Sequence, residues 1–146
     1  EYYNLVSAMD INCMELGYWK QTSKSKNKFF NLNMDTVKEV TKEQGKKNVC
    51  VMIDFHYCTK ELKEYPTNNQ NEIKMIRMTA RKDMIPGAIE FANRLKQHTG
   101  LEIAFNIFNT TNYTDYELNK VLDDVLETDF DLIGFADTHG HLNLKI

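Results

Sequence analysis

The most constraining feature of the sequence is a regular alternation of short apolar runs with amphipathic segments. The last three apolar runs begin near positions 73, 102 and 131, so each strand-plus-helix unit is about 29 residues long. Runs 48–55 (NVCVMIDF) and 101–108 (LEIAFNIF) are continuous and rich in β-branched or aromatic residues, which is typical of strands covered on both faces. The alternation predicts an α/β domain of parallel strands joined by right-handed crossovers.

The element boundaries follow from local signals. Pro86 suits the first turn of a helix that Gly100 would end, and Thr114 or Asp115 is a suitable N-cap for the next helix, whose buried side should include Tyr116. Gly45 is a plausible stop for an earlier helix. The sequence predicts helices over 1–10, 34–44, 86–97 and 115–126, and strands over 11–17, 48–55, 73–79, 101–108 and 131–136.

Every predicted strand delivers a polar or charged side chain at or just past its exit. The carboxyl ends of parallel strands meet at one edge of a sheet, which is where catalytic residues gather. No glycine-rich turn follows any of the strands, so a dinucleotide or phosphate-loop site is not indicated. The residues at the strand exits are Glu15, Asp54, His56, Arg77, Asn106, Asp137 and Thr138.

Arg77 and Glu15 are the most informative of these residues. Arg77 is embedded in the apolar run IKMIRMT, and a buried guanidinium needs a carboxylate partner, either a protein acid such as Glu15 or a substrate. Glu15 could equally be a simple rim carboxylate. The following segment, Arg81-Lys82-Asp83, is expected to be the solvated start of a helix.

The other candidates can each be interpreted in two ways. Asp137 and Thr138 place a carboxylate and a hydroxyl side by side at a strand end, where they could orient a ligand oxygen or a metal-bound water. Asn106 could contact a ligand or cap the following loop. Asp54 and His56 are weaker candidates, because a single His beside an aromatic residue is more often a rim residue.

Size and composition narrow the class of protein. The chain has 146 residues, 42% of them apolar, which suits one domain, 1–146, with a hydrophobic core. Its net charge of -3 predicts no nucleic-acid or anionic-membrane partner. No apolar stretch approaches the roughly 18 residues that span a bilayer. Three cysteines, an odd number, favour reduced thiols in a cytoplasmic protein.

Both ends of the sequence suggest a piece of a larger protein. The chain opens without Met on an amphipathic segment and stops soon after a site-like motif. A partial barrel would leave two open sheet edges, which extra polypeptide or a second copy of the chain would have to cover. We therefore expect either further polypeptide or a homo-oligomer.

Five short motifs, taken in order, resemble a known family. They are MELGY (14–18), VMID (51–54), MIR (75–77), AFN (104–106) and FADTHG (135–140). Their order and spacing are similar to the second to sixth strands of the pyruvate-aldolase and 3-hydroxy-3-methylglutaryl-CoA lyase family, the DRE-TIM metallolyases. The resemblance covers nearly the whole chain.

The resemblance implies a parallel (β/α)8 barrel, present here as about five β/α units. It also implies an enzyme that makes or breaks a carbon–carbon bond of a 2-oxo acid through a pyruvate-type enolate stabilised by a divalent metal, Mg²⁺ or Mn²⁺. The family's metal ligands, an Asp on the first strand and a His-x-His on the seventh, are expected outside this chain, so the chain alone should be inactive. The expected site residues are Glu15, Arg77, Asn106, Asp137 and Thr138.

Three alternatives stay open. In a second register, His139, His141 and Asn143 form the seventh-strand metal motif, but this needs a further β/α unit between Leu101 and Asp131. In a second class, Asp137, His139 and His141 resemble the opening motif of amidohydrolase-like metal-dependent hydrolases, where it lies on the first strand. In a third, the chain is a non-catalytic barrel of the same family that binds a ligand or partner.

Overall fold

The computed structural model describes residues 2–20, 26–42, 48–70 and 72–141. Every predicted helix and strand is present, with ends that differ by a few residues, while the predicted stop at Gly45 lies outside the described residues. The strands are β1 (Cys13–Tyr18), β2 (Asn48–Asp54), β3 (Ile73–Ala80), β4 (Glu102–Ile107) and β5 (Leu132–Phe135). The helices are α1 (Tyr2–Ser7), α2 (Met34–Thr41), α3 (Ile85–Thr99) and α4 (Asp115–Leu126).

The five strands form one parallel sheet in the order β1-β2-β3-β4-β5. The prediction of parallel strands is confirmed. A doubly wound sheet reverses its strand order at a switch point, whereas here the spatial order follows the chain without reversal. All the strands therefore end at the same edge, which we call the carboxyl edge.

One face of the sheet packs against the helices. Side chains of a strand alternate between the two faces, and on β2 the three residues Val49, Val51 and Ile53 have no exposed surface. They belong to a single core cluster that also contains Val37 of α2, Phe91 of α3, Val125 of α4, and Ile76, Met78, Ile103 and Phe105 of the neighbouring strands. Full burial of each such side chain contributes about 1.5–3 kcal/mol.

Helix ends follow the predicted chemistry. Pro86 lies in the first turn of α3, and Gly100 ends it with a φ of 66°, which a residue without a side chain adopts most easily. Thr114 caps α4 in a reciprocal capping box with Glu117. The prediction that Tyr116 is buried is wrong, because its side chain is 79% exposed. It lies nine positions before the buried Val125, about half a turn around the helix.

The connection between β2 and β3 departs from the regular pattern. Its described residues form only two short 3₁₀ helices, Leu62–Glu64 and Asn68–Gln70, and the intervening Tyr-Pro-Thr-Asn turn disfavours an α-helix. The Trp19 indole, which is only 2% exposed, donates a hydrogen bond to the Glu64 carbonyl at 3.0 Å. Trp19 is therefore a core residue that anchors this connection to the end of β1.

All three cysteines are free; Cys50 and Cys58 are buried and Cys13 is exposed. None of the helices in the described part of the chain is both long and apolar enough to cross a membrane.

Candidate functional site

The face of the sheet opposite the core carries most of the predicted site residues. On β3, Ile76, Met78 and Ala80 are buried in the core, so the alternate residues Met75, Arg77 and Thr79 lie on the other side. We call this the polar face. It also carries Glu15 on β1, Met52 and Asp54 on β2, and Asn106 on β4, by register and contact.

Arg77 and Glu15 form a bidentate ion pair on the polar face. The Arg77 Nε–H donates to Glu15 Oε2 at 2.6 Å and an Nη2–H donates to Glu15 Oε1 at 2.9 Å. The pair joins β1 to β3 across the intervening β2, and both side chains are about one-third exposed, 34% and 33%. The predicted need of Arg77 for a carboxylate is met by Glu15.

The pair leaves part of the guanidinium available. The second Nη2–H donates to the sulfur of Met52 at 3.1 Å, so Glu15 and Met52 together occupy Nε and Nη2. No described residue accepts a hydrogen bond from Nη1, which carries two N–H donors. Hydrogen bonding to Glu15 raises the pKa of Arg77, against the opposing effect of burial. The guanidinium is thus an oriented, permanently charged group.

A row of polar residues lies above this pair at the carboxyl edge. The register places Asp54 opposite Thr79, Thr79 opposite Asn106, and Asn106 opposite Gly134. The Thr79 hydroxyl donates to the Asn106 carbonyl at 3.1 Å. A Cβ on Gly134 would come within 2.6 Å of Asn106 Oδ1, so the Asn106 amide lies against Gly134 on the neighbouring strand.

Asp54 makes a local contact at the same edge. Its Oδ1 accepts the backbone N–H of His56 at 2.9 Å, and the His56 ring packs edge-on against Tyr57 at 4.5 Å between centroids. His56 therefore lies in a turn that Asp54 stabilises, as the rim interpretation of this residue expects.

Asp137 and Thr138 hold the loop that follows β5. Thr138 Oγ1 accepts the backbone N–H of Asn109 at 2.8 Å, which ties this loop to the loop after β4. Asp137 Oδ1 accepts the backbone N–H of His141 at 2.8 Å. These contacts give both residues a structural role at the carboxyl edge, and neither bond joins them to the Arg77–Glu15 pair.

The position of this loop bears on the alternative registers. A single helix, α4, connects β4 to β5, and the two strands are hydrogen-bonded neighbours, so the fully described stretch 101–131 contains no further β/α unit. The motif also follows the fifth strand of the sheet, whereas an amidohydrolase-like motif would lie on the first. Both observations argue against the second register and against the amidohydrolase-like reading of the motif.

The described residues do not by themselves make a metal site. Within the described ranges, no three His, Cys, Asp or Glu side chains lie together so that they could hold a metal ion. The rings of His139 and His141 have centroids 5.8 Å apart, and Asn143 lies outside the described residues. The expected Mg²⁺ or Mn²⁺ stays a prediction.

Two contributors to the site were not predicted from the sequence. Met52 contacts the Arg77 guanidinium, and the buried Thr79 hydroxyl bonds to the backbone of Asn106. The alternation of side chains along a strand could have indicated both residues, since position 52 shares a face with position 54, and position 79 shares a face with position 77. A Met in an apolar run looks like any core residue, however, until the strand register is known.

The sequence matches no family model and no curated protein. Among solved structures, the chain is similar to the N-terminal domain of a putative aldolase from Bacteroides vulgatus, with 18% sequence identity and a TM-score of 0.58. The match covers 92% of this chain and 55% of that one, so this chain spans about half of the structure it resembles. At this identity the similarity shows a shared aldolase-like α/β fold.

Proposed function

We propose that the chain supplies five β/α units of a TIM barrel, and that the complete protein is a divalent-metal-dependent aldolase or lyase. It would make or break a carbon–carbon bond of a 2-oxo acid through a pyruvate-type enolate. The observation that carries this proposal is the Arg77–Glu15 pair on the polar face of a parallel sheet whose strands follow chain order.

Two features of the fold support a barrel. In TIM barrels the inward side chains of alternate strands meet in layers, and Glu15 and Arg77 meet in this way from β1 and β3. Within the described residues, the helices pack on the opposite face of the sheet, as they do on the outside of a barrel. The polar face would then be the barrel interior, and the carboxyl edge its catalytic end.

Within such a site Arg77 would bind the oxygens that carry negative charge. Its Nη1 donors would meet a substrate carboxylate or the developing enolate oxygen, while Glu15 and Met52 hold the guanidinium in place. A cation fixed before the reaction stabilises developing charge without reorganisation. Asn106, in the row above, would contribute an amide to the same substrate. A bound Mg²⁺ or Mn²⁺ would supply Lewis-acid chemistry, with ligands that must include groups other than those described.

The experiment is a retro-aldol assay on the natural full-length protein with Mn²⁺ or Mg²⁺. Pyruvate released from 4-hydroxy-2-oxo acids is detected by coupled NADH oxidation. Arg77→Gln should lower kcat/KM by about 100-fold. Arg94→Gln removes an equal charge from the surface of α3, where the side chain is 57% exposed, and should have no effect. A folded protein that releases no pyruvate from any such substrate would end the aldolase proposal.

The second candidate is a non-catalytic barrel of the same type. It is favoured by the structural contacts of two predicted site residues: Asp137 and Thr138 both accept backbone N–H groups of the described loops. Calorimetry with pyruvate separates the two candidates. Binding that Arg77→Gln weakens, in a protein with no turnover, would support a binding module.

A further inference from the structure

Tyr18 lies on the polar face because β1 is irregular near Gly17. Strict alternation would place residue 18 in the core with Met14 and residue 19 on the polar face. The structure instead buries Trp19 in the core, where it is 2% exposed. The register between β1 and β2 shifts before Tyr18, as in a β-bulge, and Gly17 has a φ of 151°. Such bulges often turn a side chain towards an active site, and this one turns Tyr18 to the face that carries Glu15.

The bulge places Tyr18 in a row with Arg77. Tyr18 pairs with Met52, and Met52 pairs with Arg77, so the three residues cross β1, β2 and β3 at one level. Neighbouring strands are about 4.8 Å apart, so the backbones at the two ends of this row are roughly 10 Å apart. Hydrogen bonding to Glu15 is the largest cause of the raised pKa of Arg77, and Tyr18 is near enough to contribute to it. One small molecule can therefore reach both side chains.

A second aromatic ring orients Tyr18. The Tyr18 and Phe30 rings are stacked, with centroids 5.4 Å apart and planes 14° from parallel. Phe30 ends a short 3₁₀ helix, Lys28–Phe30, that lies close to β1, since a Cβ on Gly17 would come within 2.2 Å of the Phe29 carbonyl oxygen. Tyr18 is only partly buried and Phe30 is 42% exposed. The two rings thus form an oriented aromatic surface that is accessible at the carboxyl edge.

The row carries one charge and otherwise apolar surface. The Nη1 donors of Arg77 suit a carboxylate, because a guanidinium forms charge-assisted hydrogen bonds with it. The Tyr18 ring favours an offset-stacked or edge-on aromatic partner, and the sulfur of Met52 is favourable beside such a ring. A ligand that fits the whole row therefore has a carboxylate at one end and a planar apolar group a few bonds away.

We propose that Tyr18 is a specificity-determining residue of the polar-face site, and that the substrate is a 4-hydroxy-2-oxo acid with a phenyl-like group on its fourth carbon. The carboxylate binds Arg77, and the planar group packs against the Tyr18 ring above Met52. The inference rests on the proposed function, because it names the substrate class of the same site.

The reaction of such a substrate follows directly. The hydroxyl on the fourth carbon loses its proton, and the bond between the third and fourth carbons breaks. The electron pair of this bond forms the enolate, which takes up a proton at the third carbon to give pyruvate. The planar group leaves on the fourth carbon as an aromatic aldehyde.

The test is a calorimetric titration of the natural full-length protein, in buffer with Mg²⁺. Three matched probes lack the 4-hydroxyl group and so cannot be cleaved. The probe 2-oxo-4-phenylbutanoate has the carboxylate and the ring, 2-oxobutanoate lacks the ring, and 4-phenylbutan-2-one lacks the carboxylate. We expect the first probe to bind about tenfold more tightly than either of the others.

Variants assign the ring contact to Tyr18. Tyr18→Ala should reduce the ratio of affinities for the probes with and without the ring from about tenfold to below about threefold. Tyr18→Phe should keep the ratio, because it keeps the ring. If Tyr18→Ala does not fold, Tyr18→Leu tests the same contact, since it keeps apolar bulk without a flat ring. The matched control is Tyr116→Ala, which removes a Tyr that is 79% exposed on α4 and should not change the ratio.

Three results would overturn the inference: equal affinity with and without the ring, equal effects of Tyr18→Ala and Tyr116→Ala, or no binding of the phenyl probe at millimolar concentration. Its failure differs from that of the aldolase proposal. A protein that releases pyruvate from 4-hydroxy-2-oxopentanoate but shows no ring preference would refute only the substrate class. A protein that binds the phenyl probe through Tyr18 but releases no pyruvate from 4-hydroxy-2-oxo-4-phenylbutanoate would refute only the reaction.

Discussion

Replacing Glu15 by Gln removes the charge that holds Arg77 on the polar face. The amide of Gln would also present N–H groups to a guanidinium that can only donate. The variant protein must then leave Arg77 without its bidentate partner in a site where its side chain is 34% exposed. We expect a loss of stability and a more mobile guanidinium.

The magnitude follows from the geometry and the exposure of the pair. Breaking a fully buried ion pair costs about 3–5 kcal/mol, and exposed pairs contribute about 0–1 kcal/mol. The Glu15–Arg77 pair lies between these limits, with two short hydrogen bonds of 2.6 and 2.9 Å but side chains about one-third exposed. We therefore expect an interaction energy of about 1.5 kcal/mol.

The assay is a double-mutant cycle with Glu15→Gln, Arg77→Gln and the double variant. Urea unfolding gives each free energy of unfolding, provided that the denaturant slope m is unchanged. The matched control is the Lys28–Glu39 pair, which has a similar distance of 3.1 Å but exposures of 49% and 67%. Its coupling should be below about 0.5 kcal/mol. If the two couplings are equal, the polar face does not shield the Glu15–Arg77 pair and the reasoning fails.

Three further predictions concern other parts of the molecule. Gly17→Ala should destabilise the fold by more than about 2 kcal/mol, because φ at Gly17 is 151° and the new Cβ would lie 2.2 Å from the Phe29 carbonyl oxygen. The control is Gly87→Ala, whose new Cβ would make an ordinary 3.5 Å contact. Measured by the same urea unfolding, this control should stabilise α3 slightly. The pKa of Glu117 is lowered from 4.5 to about 2, mainly by hydrogen bonding to Lys82. The stability that this carboxylate contributes is therefore present above pH 4.5 and lost as the pH falls towards 2. An NMR titration of the Glu117 carboxyl carbon with a midpoint near pH 4.5 would contradict this. Gly134→Ala should displace the Asn106 amide and change its side-chain NMR shifts with a stability loss below about 1 kcal/mol, since the atom in the way ends a flexible side chain.

The sequence predicted the Arg77–Glu15 pair because a guanidinium within an apolar strand needs a carboxylate partner. A guanidinium between Met75, Ile76 and Met78 must be neutralised, and the β/α order left Glu15 as a candidate partner at a strand exit. The strands themselves follow from continuous apolar runs at a regular spacing. The capping box at Thr114 and the left-handed Gly100 likewise have local causes that are readable from neighbouring residues.

The rest of the site depends on loop conformations that no short pattern determines. Asp137 and Thr138 could serve a ligand or the backbone equally well, and only the folded loops show that they accept N–H groups of His141 and Asn109.

Oxalate, a planar dianion that resembles the enolate of pyruvate, provides the most direct structural test of the proposed site. The measurement is a crystal structure of the full-length protein soaked with oxalate and Mn²⁺. We predict oxalate on the polar face, with an oxygen within hydrogen-bond distance of Arg77 Nη1 and the Glu15 pairing intact. Oxalate bound at another site, with the polar face left unliganded, would contradict the assignment of this face to an enolate-forming reaction.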